Sequence, residues 1–175
     1  MADTPETNED VNEEEGAATE QAPPVLVNAQ YIKDLSFEAP TAPGIFQVMQ
    51  QQQPEINVNI NVDTNKFDEN VFEVILTMAA TAMVGEETGF ILELEYAGVF
   101  TLNCPPEHLQ PLIFIECPRL LFPFARNILA QVTRDGGFPP LMVGAVDFVA
   151  MFQRELESRE ASEAAPESAA EGSAD

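Results

Sequence analysis

The sequence predicts an α+β domain: a four-stranded antiparallel sheet with two helices packed on one face. Three observations lead there. Residues 56–62 read INVNINV, with Ile or Val at every even number and Asn at every odd one, the period of a strand with one apolar and one amide face. Two long apolar runs, 71–84 and 90–102, are separated only by the polar GEETG at 85–89, which suits a hairpin. After Pro105 the apolar spacing lengthens to that of a helix. Strands followed by helices place the helices together on one side of the sheet.

Taken in order, the first strand falls within 31–40, with Ile32, Leu35 and Phe37 as its apolar residues and Pro40 ending it. Residues 41–54 form a connection punctuated by Pro-Gly. The second strand runs from about Glu55 to Asp63, and Asn65, Asp68 and Asn70 supply turn chemistry after it. The third strand spans 71–84. In the fourth, 90–102, Phe90, Leu92, Leu94 and Tyr96 share one face, and Ile91, Glu93 and Glu95 the other. Short polar turns join these last three strands into a meander.

Helical spacing then links Leu109, Leu112, Ile113, Leu120, Leu121, Phe124, Ile128, Leu129 and Val132. Pro105 and Pro106 suit the start. Cys117-Pro118 and Pro123 are expected to interrupt or kink the helix, and Gly136-Gly137 to cap its end. Residues 138–146 read as an extended apolar crossing segment. Asp147 is expected to cap a last amphipathic helix at about 148–158, with Phe148, Val149, Met151, Phe152 and Leu156.

The 175 residues carry a formal charge of −23, unevenly spread. Residues 1–22 hold eight acids and no Lys or Arg, and residues 155–175 hold seven acids and only Arg159. Such segments cannot bury enough apolar surface to order themselves. The expected organisation is therefore an acidic disordered tail at 1–24, one domain at 25–157 and a second acidic disordered tail at 158–175. The bases between the tails, Lys33, Lys66, Arg119, Arg126, Arg134 and Arg154, form no run. Nucleic acid and anionic membrane surfaces, which need clustered cations, are poor partners, and a basic protein is the natural complement. No signal peptide or membrane-length apolar run is visible. The expectation is a cytoplasmic protein with Cys104 and Cys117 as reduced thiols.

Enzyme chemistry finds little support. Cys104, the lone His108 and Cys117 could be imagined as zinc ligands, but no CxxC pair accompanies them, and buried thiols beside a helix-start His are the better reading. A Cys–His nucleophile has no local support. GEETG lacks the Lys and Ser/Thr of a phosphate loop. Glu93 and Glu95 read as a solvated face rather than acid–base carboxylates. No catalytic residue, metal or cofactor is expected. The uncharged loop GGFPPLMVGAV (136–146) instead points to an apolar groove or a subunit interface, and adaptable Met and Phe suit varied partners.

KDLSFEAPTAPGIF (33–46), GEETGFILELEYAGVF (85–100) and CPRLLFPFARNILAQVTRDGGFPPLMVGAVDFVAMF (117–152) closely resemble the bacterial protein-export chaperone family SecB, over roughly residues 29–156. The resemblance implies a homotetramer built as a dimer of dimers, with the long helices between two sheets. It implies an ATP-independent chaperone that keeps unfolded precursor proteins competent for translocation and delivers them to the ATPase SecA, with no metal or nucleotide of its own. The family's SecA contact maps onto Asp34, Glu38, Ile91 and Glu93. The client groove maps onto Ile56, Val58, Ile60, Phe138, Leu141, Met142, Phe148 and Phe152. The acidic N-terminal extension departs from the family pattern. So does the C-terminal tail, whose auxiliary SecA contact has only Arg159 to offer as a base.

Overall fold

The computed structural model describes residues 23–163. Four strands, β1 (Val25–Glu38), β2 (Glu55–Lys66), β3 (Val71–Val84) and β4 (Glu87–Leu102), form one antiparallel sheet in the order β1-β4-β3-β2. The β3–β4 hairpin is tighter than GEETG suggested. Val84 pairs with Glu87, leaving Gly85 and Glu86 as a two-residue turn. Gly85 takes φ 64°, a conformation that costs glycine little. The Phe67 and Asp68 amides donate to the Val71 carbonyl at 2.9 and 3.2 Å and close the β2–β3 turn.

Strand β1 starts at Val25 rather than within 31–40, because its first half pairs with the far end of β4, Val25 opposite Leu102. Its ladder slips at Asn28 and again at Lys33. Each slip is a bulge that reverses which residues point to which face. Residues 72, 74, 76, 78, 80, 82 and 84 of β3 and 90, 92, 94 and 96 of β4 are buried and build the core.

The predicted long helix is three segments in sequence: α2 (Pro106–Pro111), a π-helical turn (Leu112–Glu116) and α3 (Cys117–Asp135). The interruption expected at Cys117-Pro118 takes the form of that wider turn. Pro118 has no N–H to give the Phe114 carbonyl, so an ordinary helical bond is missing there. Pro123 does not end α3, which continues to Asp135. Helix α3 packs on the core side of the sheet, where Leu121 crosses Gly98. It ends as the glycines predicted. Gly137 adopts φ 88°, the Gly137 amide bonds the Arg134 carbonyl at 3.0 Å, and the Phe138 amide bonds the Thr133 carbonyl at 3.0 Å.

A short helix, α1 (Ile45–Val48), lies in the β1–β2 connection and supplies Ile45 to the core. The Asp147 carboxylate accepts from the Ala150 amide at 3.0 Å and caps α4 (Phe148–Glu163). Helix α4 runs past the expected boundary at 157, and an Arg159–Glu155 pair one turn apart, at 2.9 Å, supports the extension. Among its residues 148–161, whose burial is described, only the first, Phe148, is buried. The helix is anchored at one end rather than amphipathic along its length. The tail assignments for residues 1–22 and 164–175 lie outside the described residues.

Candidate functional site

The register of the sheet assembles an acidic face opposite the helices. Glu38 of β1 sits across from Ile91 of β4, Ser36 from Glu93, and Asp34 from Glu95. Continuing across the sheet, Ile91 faces Thr81, Glu93 faces Ala79, and Glu95 faces Thr77. These in turn face Asn57, Asn59 and Asn61 of β2. Three rows therefore run from a carboxylate or serine on β1 to an asparagine on β2. Asp34, Glu38, Ile91 and Glu93, named from the sequence, are all exposed and share this face. The amide side of INVNINV, read from the sequence as the strand's face toward water, lies on the same face as these acids, a juxtaposition the sequence reading did not draw. The signal was available in the two short turns, which set the register of β2, β3 and β4.

At one end of this face lies a feature with no counterpart in the sequence reading. Glu73, a lone acid in the apolar β3 run, is 3% exposed. Its carboxylate accepts from Tyr31 Oη, from Lys33 Nζ at 2.9 and 2.8 Å, and from Asn65 Nδ2 at 2.8 Å. Burial pushes this carboxyl up, but the hydrogen bonds from Lys33, Tyr31 and Asn65 and the Lys33 charge outweigh it, leaving the pKa at about 2. The bond to Glu73, burial and the Glu73 charge together push the Tyr31 hydroxyl up to about 12.

On the helix side, β2, the π turn and α4 border an open groove of about 350 Å³. Ile60, Val62, Phe114, Met151 and Phe152 give it apolar walls; Asp63, Arg154, Glu155 and Arg159 add charge. Phe114 and Phe152 stack with centroids 5.7 Å apart and planes 9° apart. The wide turn before Pro118 carries Phe114.

Of the eight groove residues read from the sequence, Ile60 and Phe152 line this space. Val58 is half-buried beside it on the strand, and Ile56 is exposed. Met142 is 68% exposed on the crossing segment. Phe138, Leu141 and Phe148 are buried in the chain. Phe138 sits among Phe37, Phe46 and Phe90, with centroids 5.1 to 6.2 Å away. Phe148 meets Phe122 edge to face at 5.9 Å. Phe114, Met151 and the two arginines were missed, since helical spacing does not say which side of a helix meets a groove.

Burial, with a smaller contribution from the Glu116 charge, pushes the Cys117 thiol up to about 12, far from a nucleophile's range. Among the described residues no group of three His, Cys, Asp or Glu is arranged to hold a metal ion, and no helix is long and apolar enough to cross a membrane.

Residues 18–159 match the family model described as preprotein translocase subunit SecB. The chain belongs to the SecB family. A protein-export protein SecB of Rhodopseudomonas palustris is 56% identical over 144 residues, covering 81% of this chain and 91% of its own. Another, of Paramagnetospirillum magneticum, is 52% identical over 135 residues, covering 77% and 87%. A solved SecB-like chaperone of Mycobacterium tuberculosis, in complex with a ChAD peptide from an antitoxin, matches with a TM-score of 0.60 at 13% identity. It covers 70% of this chain and 91% of its own, and shares the fold. SecB membership makes this protein a chaperone of protein export and not an enzyme.

Proposed function

We propose that this SecB-family chain works in the cytoplasm without nucleotide, holding unfolded precursor proteins against the apolar walls of its groove and passing them to SecA through the acidic sheet face. The observation that carries the docking half is the clustering of Asp34, Glu38, Glu93 and Ile91 on one exposed face. A basic partner is steered to such a face and fixed in register by it. The client half rests on the groove. Covering its walls gains about 25 cal/mol per Å² of apolar area and demands no sequence code. In the mapping that the family suggests, Ile56, Val58 and Met142 extend this client surface beyond the groove, while the buried Phe138, Leu141 and Phe148 belong to the core that supports it.

The proposed homotetramer, a dimer of dimers, draws support from apolar surface that the single chain leaves open. Ile32 and Leu35 on β1 and Leu120 and Phe124 on α3 are large, apolar and exposed, and Phe124 stacks on Tyr96 beside Ile32. Several grooves on one assembly let weak segments of one long client hold by avidity.

Light scattering on a sizing column, with a chemically unfolded precursor and no nucleotide, tests the reading. A tetramer carrying one client chain is the expected result. A monomer that ignores the client overturns it. Charge reversal at Asp34 and Glu93 is expected to abolish SecA binding and spare client binding; SecA binding that survives reversal removes the docking half.

A further inference from the structure

Among the described residues, Lys33 is the only base on the acidic sheet face, and it is held away from the acids around it. The sheet contains one other base, Lys66, which lies over the Phe72 ring on the core side, 5.8 Å from its centroid. Lys33 is the residue at which the β1 ladder slips: Ile32 pairs with Tyr96 and Asp34 with Glu95, leaving Lys33 between them. The slip turns the alternation over. Before it, Ala29 and Tyr31 point outward; after it, Asp34, Ser36 and Glu38 do. Lys33 and Asp34 are thus consecutive residues on the same face. An ammonium there would be expected to neutralise Asp34 or Glu95. Instead both short contacts of Lys33 Nζ go to Glu73. Among the described residues, Asp34, Glu38, Glu93 and Glu95 take part in no ion pair. Tyr31 and Asn65 fill the remaining acceptor sites of the Glu73 carboxylate and hold it in place.

We propose that Glu73 is a positioning residue for the docking face: by drawing the half-exposed Lys33 onto its own buried carboxylate, it keeps the cluster of Asp34, Glu93 and Glu95 uncompensated for the basic surface of SecA. The proposal rests on the reading of this face as the SecA contact. Glu73 touches no partner itself and acts through the place it gives Lys33.

The test is SecA affinity, by titration at low and high salt, for E73Q, K33M and K33M/E73Q, with E93K as control and groove binding of an unfolded client measured alongside. Gln keeps the volume and an acceptor but loses the charge that holds Lys33. E73Q is expected to weaken SecA binding by roughly threefold to tenfold, less so at high salt, and to leave client binding unchanged. K33M/E73Q, with no cation to release, is expected to recover wild-type affinity. A purely structural role predicts no such recovery. E73Q without effect on affinity, or a double variant no better than E73Q, overturns the proposal. K33M alone is expected to bind SecA at least as well as wild type, and a loss there overturns the proposal even if E73Q fails to fold. E93K separates the two levels. If it leaves SecA binding intact, the docking reading itself fails; if it abolishes binding while E73Q changes nothing, only the role of Glu73 fails.

Discussion

The Leu141 amide donates a 2.9 Å hydrogen bond to the hydroxyl of Thr133, two residues before the end of α3. The same hydroxyl donates to the Leu129 carbonyl at 2.8 Å, and Thr133 is fully buried. A single oxygen thus ties the crossing segment to the helix it leaves. Thr133→Val keeps the shape and strands the Leu141 amide without a partner, at a cost of about 1–3 kcal/mol. Urea unfolding should show that loss, and hydrogen exchange at Leu141 should quicken. Thr133→Ser, which keeps the hydroxyl, should stay near wild type.

At Gly98 a side chain of α3, Leu121, packs directly on the sheet. A Cβ there would lie 2.6 Å from a Phe100 ring carbon and 2.8 Å from a Leu121 methyl. Gly→Ala in a strand can gain about 0.4–1 kcal/mol by restricting the unfolded chain, but overpacking a core costs about 1–3 kcal/mol. The clash wins, so Gly98→Ala should lower the urea midpoint.

Stability should fall at both ends of the pH scale through one cluster. Glu73 lies at about 2 against an ordinary 4.5. Its contribution is complete above the ordinary value and is lost as pH falls toward 2. Tyr31 lies at about 12 against 10.0, so its contribution is complete below pH 10 and is lost as pH rises toward 12. Urea midpoints measured from pH 2 to 6 should fall less steeply in E73Q than in wild type, and those from pH 9 to 12 should fall less steeply in Tyr31→Phe.

Two apolar residues of the same neighbourhood should separate binding from folding. Met142 is largely exposed, so Met142→Asp should weaken binding of an unfolded client and move the melting temperature little, as surface changes within about 0.5 kcal/mol do. Phe148 is 1% exposed, so Phe148→Ala should cost about 3–5 kcal/mol. Thermal melts beside client titrations check both. A Met142→Asp variant with full affinity removes the crossing segment from the client surface.

Strand faces were legible because alternation is a local property: Phe90 to Tyr96 buried and Ile91 to Glu95 open follows from period two alone. What those faces meet was less so. The first half of β1 was missed because Val25, Leu26 and Val27 run together without alternation, and their partners lie some 75 residues away. Glu73 draws its donors from Tyr31, Lys33 and Asn65, from two other strands, and only register brings them together. Phe138, Leu141 and Phe148 show the limit at the groove. A large apolar residue in a loop has the same sequence signature whether it lines a binding surface or completes a core, and only packing tells the two apart.

The order of strands in the sheet bears on how the protein is made. β1 leaves the ribosome first, yet its only neighbour is β4, the last strand to emerge. From Glu38 to Leu102 another 64 residues (102 − 38) must be synthesised. At about 5–20 residues per second that takes on the order of 3–13 s. Throughout that interval Leu26, Ile32, Leu35 and Phe37 belong to an unpaired nascent strand. A protein that shelters unfinished chains begins its own life as one of them.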